Sequence, residues 1–293
     1  NSMNLSDINN LIQRATVLAK TNWLQAVYLL QEGLKEEPDN YSLIINLGDI
    51  YLERQIYEKA LSYYIKAISL HPDSPQLLFL IGTCYFSLGE YRIAISYFNR
   101  ISNPPPEVLY NSALAYAFLG CYQESIDVIN KILEVMDDNP FIYFLLIEQY
   151  VRMQNYDQAY QTIINAEKKF GKHRQLLLLS ALVYGKKGIW LKSYHSFVEY
   201  ESLGHITNPD HLIAYANAAT NIGLIDRAIE ILRQAQEINP YISVVYEELI
   251  RLLLQKNNYK EARKVLSLAK KYISQFSPVL YLFKERLDNH PPE

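Results

Sequence analysis

Apolar positions along this chain fall into pairs of short helical stripes that repeat. In residues 41–74 one stripe runs through Ile44, Leu47, Gly48 and Tyr51, spaced three to four apart as one face of a helix requires. A second runs through Ala60, Tyr64 and Ala67, and Pro72 follows. The link between them, near Arg54 to Tyr57, is too short for anything but an antiparallel helical hairpin. The signature Tyr57-Glu58-Lys59-Ala60 returns as Tyr91-Arg92-Ile93-Ala94, Tyr156-Asp157-Gln158-Ala159 and Tyr259-Lys260-Glu261-Ala262. Aligned on these alanines, eight units begin near Asp7, Tyr41, Pro75, Pro106, Pro140, Arg174, Pro209 and Ser243, at spacings of 34, 34, 31, 34, 34, 35 and 34. A fixed period of this size predicts a stack of small units, each touching mainly its neighbours.

Each recurring residue has a physical role in that stack. Gly48, Gly82, Ala113, Ala181 and Ala216 form one column on the first helix of their units. Ala60, Ala94, Ala159, Ala228 and Ala262 form a matching column on the second helix, with Ser125 and Ser193 in the gaps. Small side chains let two helix axes approach closely while larger neighbours interdigitate around them. Pro38, Pro72, Pro140 and Pro240 stand where a helix must stop. Three departures carry expectations of their own. Arg14 takes a small-residue position, with Asn10 and Gln13 on the nominal inner face, which predicts a worn, solvent-facing first helix. Ile147 and Ile250 replace the small residue, so their hairpins should stand slightly apart. Pro278 to Leu287 reads as an extra amphipathic helix that covers the last unit.

The order of an apolar residue, Leu-Gly, Tyr, Ala, an aromatic, Ala and Pro at these offsets resembles the tetratricopeptide repeat. The resemblance covers almost the whole chain. It implies an all-α fold, a right-handed α-α superhelix (solenoid) of about eight helical hairpins plus a C-terminal capping helix. Residues 5–288 are then expected to form a single domain. Its units lie near 7–40, 41–74, 75–105, 106–139, 140–173, 174–208, 209–242 and 243–276, with the capping helix at 277–288.

Composition narrows the function classes. Net charge is −3 over 293 residues, which gives no overall bias toward nucleic acid or anionic lipid. The longest apolar runs, such as Phe141 to Ile147, fall far short of the roughly 20 residues a membrane helix needs. No signal peptide is evident near Met3, and Asn1-Ser2 reads as a cloning remnant. The two cysteines, Cys84 and Cys121, read as lying inside helical units, and a reducing, cytoplasmic compartment is expected. Ten of the 25 tyrosines fall in two repeat columns, among them Tyr51, Tyr85, Tyr57 and Tyr91. They are read as packing residues with the hydroxyl at a polar edge, not as a platform for bases or sugars.

Chemistry is sparse. The six histidines form no HExxH or Cys/His ligand spacing, and His205 and His211 flank a long linker, so no metal or other cofactor is expected. Gly185-Lys186-Lys187-Gly188 lacks the phosphate-loop spacing and a preceding strand, and reads as a helix-to-helix turn. The acid pairs Asp137-Asp138 and Glu247-Glu248 have no evident catalytic partner. The chain is read as not an enzyme.

The resemblance implies that first helices line a concave groove. Its inward offsets fall on Asn46, Asp49, Phe79 and Thr83, then Phe86, Tyr110, Asn111 and Phe118, then Phe141, Phe144, Glu148 and Arg152. The later units contribute more polar residues, including Lys186, Asp210, Asn217, Glu248 and Arg251. Asn46 and Asn111 match the family's groove asparagines, which can bond both N–H and C=O of a ligand backbone. The aromatic residues are not needed to build the hairpins and so suggest a partner site. A bland alternative is that curvature folds these rings against each other. Lysine is missing at Ile45, Phe79 and Tyr110, which argues against a carboxylate clamp and for an amphipathic helix or extended apolar peptide, oriented by Arg152 and Glu148.

The preferred reading is thus a non-catalytic protein–protein interaction scaffold, with self-association through the groove as one of its outcomes. The alternative is the repeat arm of a larger enzyme, glycosyltransferase-like, with its catalytic part elsewhere; the abrupt Pro291-Pro292-Glu293 permits it. A base-reading repeat protein would need a basic inner surface, which these residues do not supply.

Overall fold

The computed structural model describes residues 3–290; Asn1-Ser2 and Pro291-Pro292-Glu293 lie outside the described residues. Among the described residues there are seventeen α-helices and no strand. They are α1 (Leu5–Ala19), α2 (Trp23–Glu36), α3 (Tyr41–Glu53), α4 (Tyr57–Leu70), α5 (Pro75–Ser87), α6 (Tyr91–Phe98), α7 (Pro106–Phe118) and α8 (Tyr122–Val135). There follow α9 (Pro140–Arg152), α10 (Tyr156–Phe170), α11 (Arg174–Lys186), α12 (Trp190–Ser202), α13 (Pro209–Asn221), α14 (Ile225–Ile238), α15 (Ser243–Gln255), α16 (Tyr259–Tyr272) and α17 (Pro278–Asp288). Contacts divide the chain into two units, Asn1–Ile142 and Tyr143–Glu293, each described by itself.

In the first unit α1–α2, α3–α4, α5–α6 and α7–α8 are hairpins, and each second helix packs on the first helix of the next hairpin. In the second unit α11–α12, α13–α14 and α15–α16 pair in the same way, and α17 closes against both α15 and α16. First helices also touch one another, α1 with α3, α5 with α7 and α11 with α13, so they share one face within each unit.

The turns inside the hairpins repeat one device. Gln55, Gly89, Gly120, Gln154, Gly188, Gly223 and Asn257 all have positive φ, between 57° and 86°. Each follows a first helix. The next residue donates its N–H back to the carbonyl five positions earlier, as Ile56 does to Tyr51 and Asn258 to Leu253 at 2.9 and 2.8 Å. This satisfies carbonyls that the helix end leaves open and reverses the chain in three residues. Asn or Ser side chains cap α3, α5, α13 and α17, and proline opens α5, α7, α13 and α17.

Close approach within the hairpins follows from the small-residue columns. The Tyr64 ring lies directly on Gly48, where a Cβ would stand 2.6 Å from Cε1. The alanines of the second-helix column are fully buried. Where serine replaces alanine the hydroxyl finds a partner: Ser125 Oγ donates to the Ala113 carbonyl at 2.8 Å and Ser193 Oγ to that of Ala181 at 2.7 Å. Both acceptors belong to the facing small-residue column, so each serine staples its hairpin from inside.

The departures from the pattern have structural causes. In α1 the buried small residue is Ala15, 1% exposed, one position after Arg14, which is exposed with Asn10 and Gln13. Ile147 and Ile250 are fully buried, so each larger side chain is taken into the interior of its hairpin. The 31-residue spacing is taken up in α6, which is cut to 8 residues ahead of Pro104-Pro105-Pro106. Ile101, beyond the helix end, still reaches the core. In α17, Leu280 and Leu287 are buried while Tyr281 and Leu282 face solvent.

Candidate interaction surface

In the first unit the nominated residues fall into three groups. Asn46 and Asp49, on α3, line a cavity of about 220 Å³ with Lys20 and Glu53. The Asn46 amide donates to the Ser42 carbonyl of its own helix at 2.7 Å. Asp49 Oδ1 accepts the hydroxyl of the buried Tyr64 at 2.6 Å. Burial pushes the Asp49 carboxyl above its ordinary range, and the Tyr64 hydroxyl pulls the other way. The same burial and hydrogen bond push the Tyr64 phenol far up, so it stays a neutral donor.

A second group is aromatic. Phe86 of α5 meets Phe118 of α7 edge to face at 5.9 Å and Tyr91 of α6 at 5.2 Å; Tyr91 stacks on Phe118 at 5.1 Å. Two nominated rings are thus drawn together with a column tyrosine. Even so, Phe118 keeps 62% of its surface exposed. Phe79 is half-buried beside Phe98, 6.2 Å away. Tyr110 and Asn111 are half-buried, and Phe141, at the start of α9, is 58% exposed. Thr83 stands apart: its Oγ1 is enclosed without a hydrogen-bond partner.

In the second unit the expectation for Phe144 is corrected. It is 3% exposed, inside a core cluster with Ile147, Leu176 and Leu179, and the His173 ring lies 4.9 Å away. Its offset in the repeat matches Phe79 and Tyr110, but the start of α11 covers it, so it offers a partner nothing. Glu148 is half-buried; burial raises its carboxyl, opposed by the positive charge of Arg152, which is exposed.

An opening in the second unit lies on the shared face of α11, α13 and α15. This cavity of about 500 Å³ has Leu182, Ile213 and Val244 on its walls and Lys186, Asp210 and Asn217 at its edge. Glu248 and Arg251, also lining it, pair at 3.6 Å. Small residues at Ala181, Gly185 and Ala214 leave the space open. The polar residues of this wall were expected from their offsets; the opening itself was not, because it depends on what faces the small residues across neighbouring helices.

One further reading is corrected. Cys121 caps the start of α8 in a hairpin turn rather than sitting within a helix. Glu247 accepts the hydroxyl of Ser277, the residue that caps α17, a contact that ties α15 to the closing helix. Cys84 is buried, which pushes its thiol up to about 11 and leaves it a poor nucleophile. Among the described residues no group of His, Cys, Asp and Glu has metal-binding geometry, and no helix is long and apolar enough to cross a membrane.

Comparisons with known proteins agree with the repeat geometry. Family models described as tetratricopeptide repeat match residues 17–75 and 212–241, and one described as anaphase-promoting complex, cyclosome, subunit 3 matches 53–132. The TPR repeat-containing protein YpiA of Bacillus subtilis (strain 168) is 23% identical over 289 residues, 96% of this chain. The chain spans 66% of that relative's length. The C-terminal part of a TPR repeat-containing protein from Cytophaga hutchinsonii superimposes with a TM-score of 0.65 at 14% identity, covering 81% of this chain and 99% of that one. A chain of the APC/C hetero-tetramer Cut9-Hcn1 gives 0.55 at 17% identity, covering 94% and 55%. The hairpin period, the paired small-residue columns and these matches together place the chain in the tetratricopeptide-repeat family.

Proposed function

We propose that the chain is a non-catalytic scaffold that holds an apolar segment of a partner protein, an amphipathic helix or extended peptide, on the first-helix face of its first unit. Tetratricopeptide repeats as a class mediate protein–protein interaction, and the Cut9-Hcn1 relative is itself part of a protein assembly. The observation that carries the reading is Phe118. Its ring is fixed by Tyr91 and Phe86, yet more than half of it faces water. An exposed aromatic ring held in one orientation loses little freedom on binding, which is what an interface anchor requires. Asn111 and Tyr110 lie on the same helix and can supply the polar contacts that orient a peptide backbone.

The test is affinity capture on the immobilised full chain, beside the double variant Phe118→Ala with Phe141→Ala. Both rings are exposed, so the fold should be unaffected, as circular dichroism would verify. The reading expects a protein retained by the parent chain and lost from the variant. Equal retention on both would remove the aromatic face from consideration.

A further inference from the structure

The outer faces of α14 and α16 carry opposite charges at matching heights. Asp226, Glu230 and Glu237 form an exposed acidic stripe along α14; Lys260, Lys264 and Lys271 form an exposed basic stripe along α16. Each acid is separated from its basic counterpart by 34 residues, one repeat, so each pair occupies the same position on its hairpin. The two helices lie side by side in the second unit, tied by Arg233 to Glu261 at 3.4 Å and by Lys256, just ahead of α16, to Asp226. Three stripe residues also hold a partner within the chain, Asp226 with Lys256, Glu230 with Arg227 at 3.2 Å and Lys264 with Glu261 at 3.1 Å, and such exposed pairs are weak enough to exchange for a partner across an interface. At the end of both helices Tyr241 is 68% exposed and meets Tyr272 edge to face at 5.6 Å.

We propose that this face is a self-complementary docking surface whose occupant is a second copy of the chain. A two-fold axis parallel to the helices and midway between them would lay the α14 stripe of one copy over the α16 stripe of the other. Because the paired residues are one repeat apart, all three heights coincide: Asp226 meets Lys260, Glu230 meets Lys264 and Glu237 meets Lys271. The axis repeats the match on its other side, as an isologous interface requires. The exposed Tyr241 falls near the end of the axis and supplies an apolar contact. Rotation about any axis in the face perpendicular to the helices would oppose like charges, so the pattern specifies one arrangement. The surface is separate from the aromatic face of the first unit and does not rest on that reading.

The experiment is sedimentation velocity on the full chain at about 0.2 mM protein, in about 25 mM and about 300 mM NaCl, since exposed pairs are screened over that range. A dimer is expected at low salt, with an association constant lower by about tenfold or more at high salt. Lys264→Glu with Lys271→Glu sets acid against acid at two of the three heights, and Glu230→Lys with Glu237→Lys sets base against base at the same two. Each double variant alone should be monomeric, and an equimolar mixture of the two should associate more tightly than the parent chain. A parent chain that stays monomeric at low salt overturns the proposal. So does a dimer indifferent to both double variants, or a mixture that fails to associate. Unchanged circular dichroism in each variant keeps these outcomes free of folding effects.

Discussion

Phe98 ends α6 by laying its ring on Gly82 of α5, so close that a Cβ on Gly82 would stand 2.5 Å from Phe98 Cε1 and 2.8 Å from Cδ1. One helix of the hairpin supplies the bulk and the other supplies its absence. Phe98 is almost fully buried and has no open side to swing into. Gly82→Ala should therefore be destabilising: helix propensity favours alanine by about 1 kcal/mol, and overpacking costs about 1–3 kcal/mol. Urea unfolding of the variant would read a net loss, and a gain would mean that the ring yields freely.

The buried serines make a second test. Ser125 and Ser193 each donate to a carbonyl of the facing helix at 2.8 and 2.7 Å. Ser125→Ala and Ser193→Ala bring the column back to its usual residue and lose only the hydrogen bond, worth about 0.5–1.5 kcal/mol each. Ser125→Val adds bulk where two helices meet and should cost more. Thermal unfolding of the three variants would rank them, and equal melting temperatures would show that the hydroxyl contributes nothing.

These contrasts mark what was legible beforehand. A small residue at Gly48 or Ala60 has one physical use in a repeat, so the columns revealed the hairpins and where they turn. Local sequence carried less at Gln55 and Gln154, whose left-handed backbone becomes visible only beside Gly89 and Gly223 at the same offset. The one-position slip from Arg14 to Ala15 escaped because α1 packs mainly on α2 and α3, which leaves much of its surface unconstrained. At the candidate site the limit was non-local packing. Phe79, Tyr110 and Phe144 share an offset, and only Phe144 is sealed, by residues of α11 some thirty positions further on.

Gln55 and Gln154 hold φ near 60°, a region that costs a side chain energy and glycine almost none. Gln55→Gly and Gln154→Gly should each raise stability by about 0.5–1 kcal/mol, and Gly223→Ala, at φ 86°, should lower it by a similar amount. Paired denaturant titrations would show the opposite signs. A loss in the glycine variants would mean that the glutamine side chains make a contribution of their own.

Asp49 offers a test in pH. Its carboxyl is raised by burial, so the folded chain holds that proton more tightly than the unfolded one. Stability from this group is then present at low pH and falls as pH rises from the ordinary carboxylate range through the raised value. Asp49→Asn removes that loss and keeps an oxygen for the Tyr64 hydroxyl. It should match or exceed the parent chain at neutral pH, with the difference closing in acid. Asp49→Ala leaves the buried hydroxyl without its acceptor and should cost about 1–3 kcal/mol at either pH. If Asn proves as harmful as Ala at neutral pH, the negative charge itself is what Tyr64 needs.

Ile101 lies past the last turn of α6, at the offset that Ala67 fills from within α4, yet both are buried. Where α4 brings a methyl, the segment after α6 brings a four-carbon branched side chain. The interior of a rung therefore demands that something greasy arrive at a given height, and is indifferent to the scaffold that brings it. Such a rung can be shortened by most of a helical turn without disturbing the rungs above and below, which gives a repeating chain a route to change its length that does not begin by unfolding it.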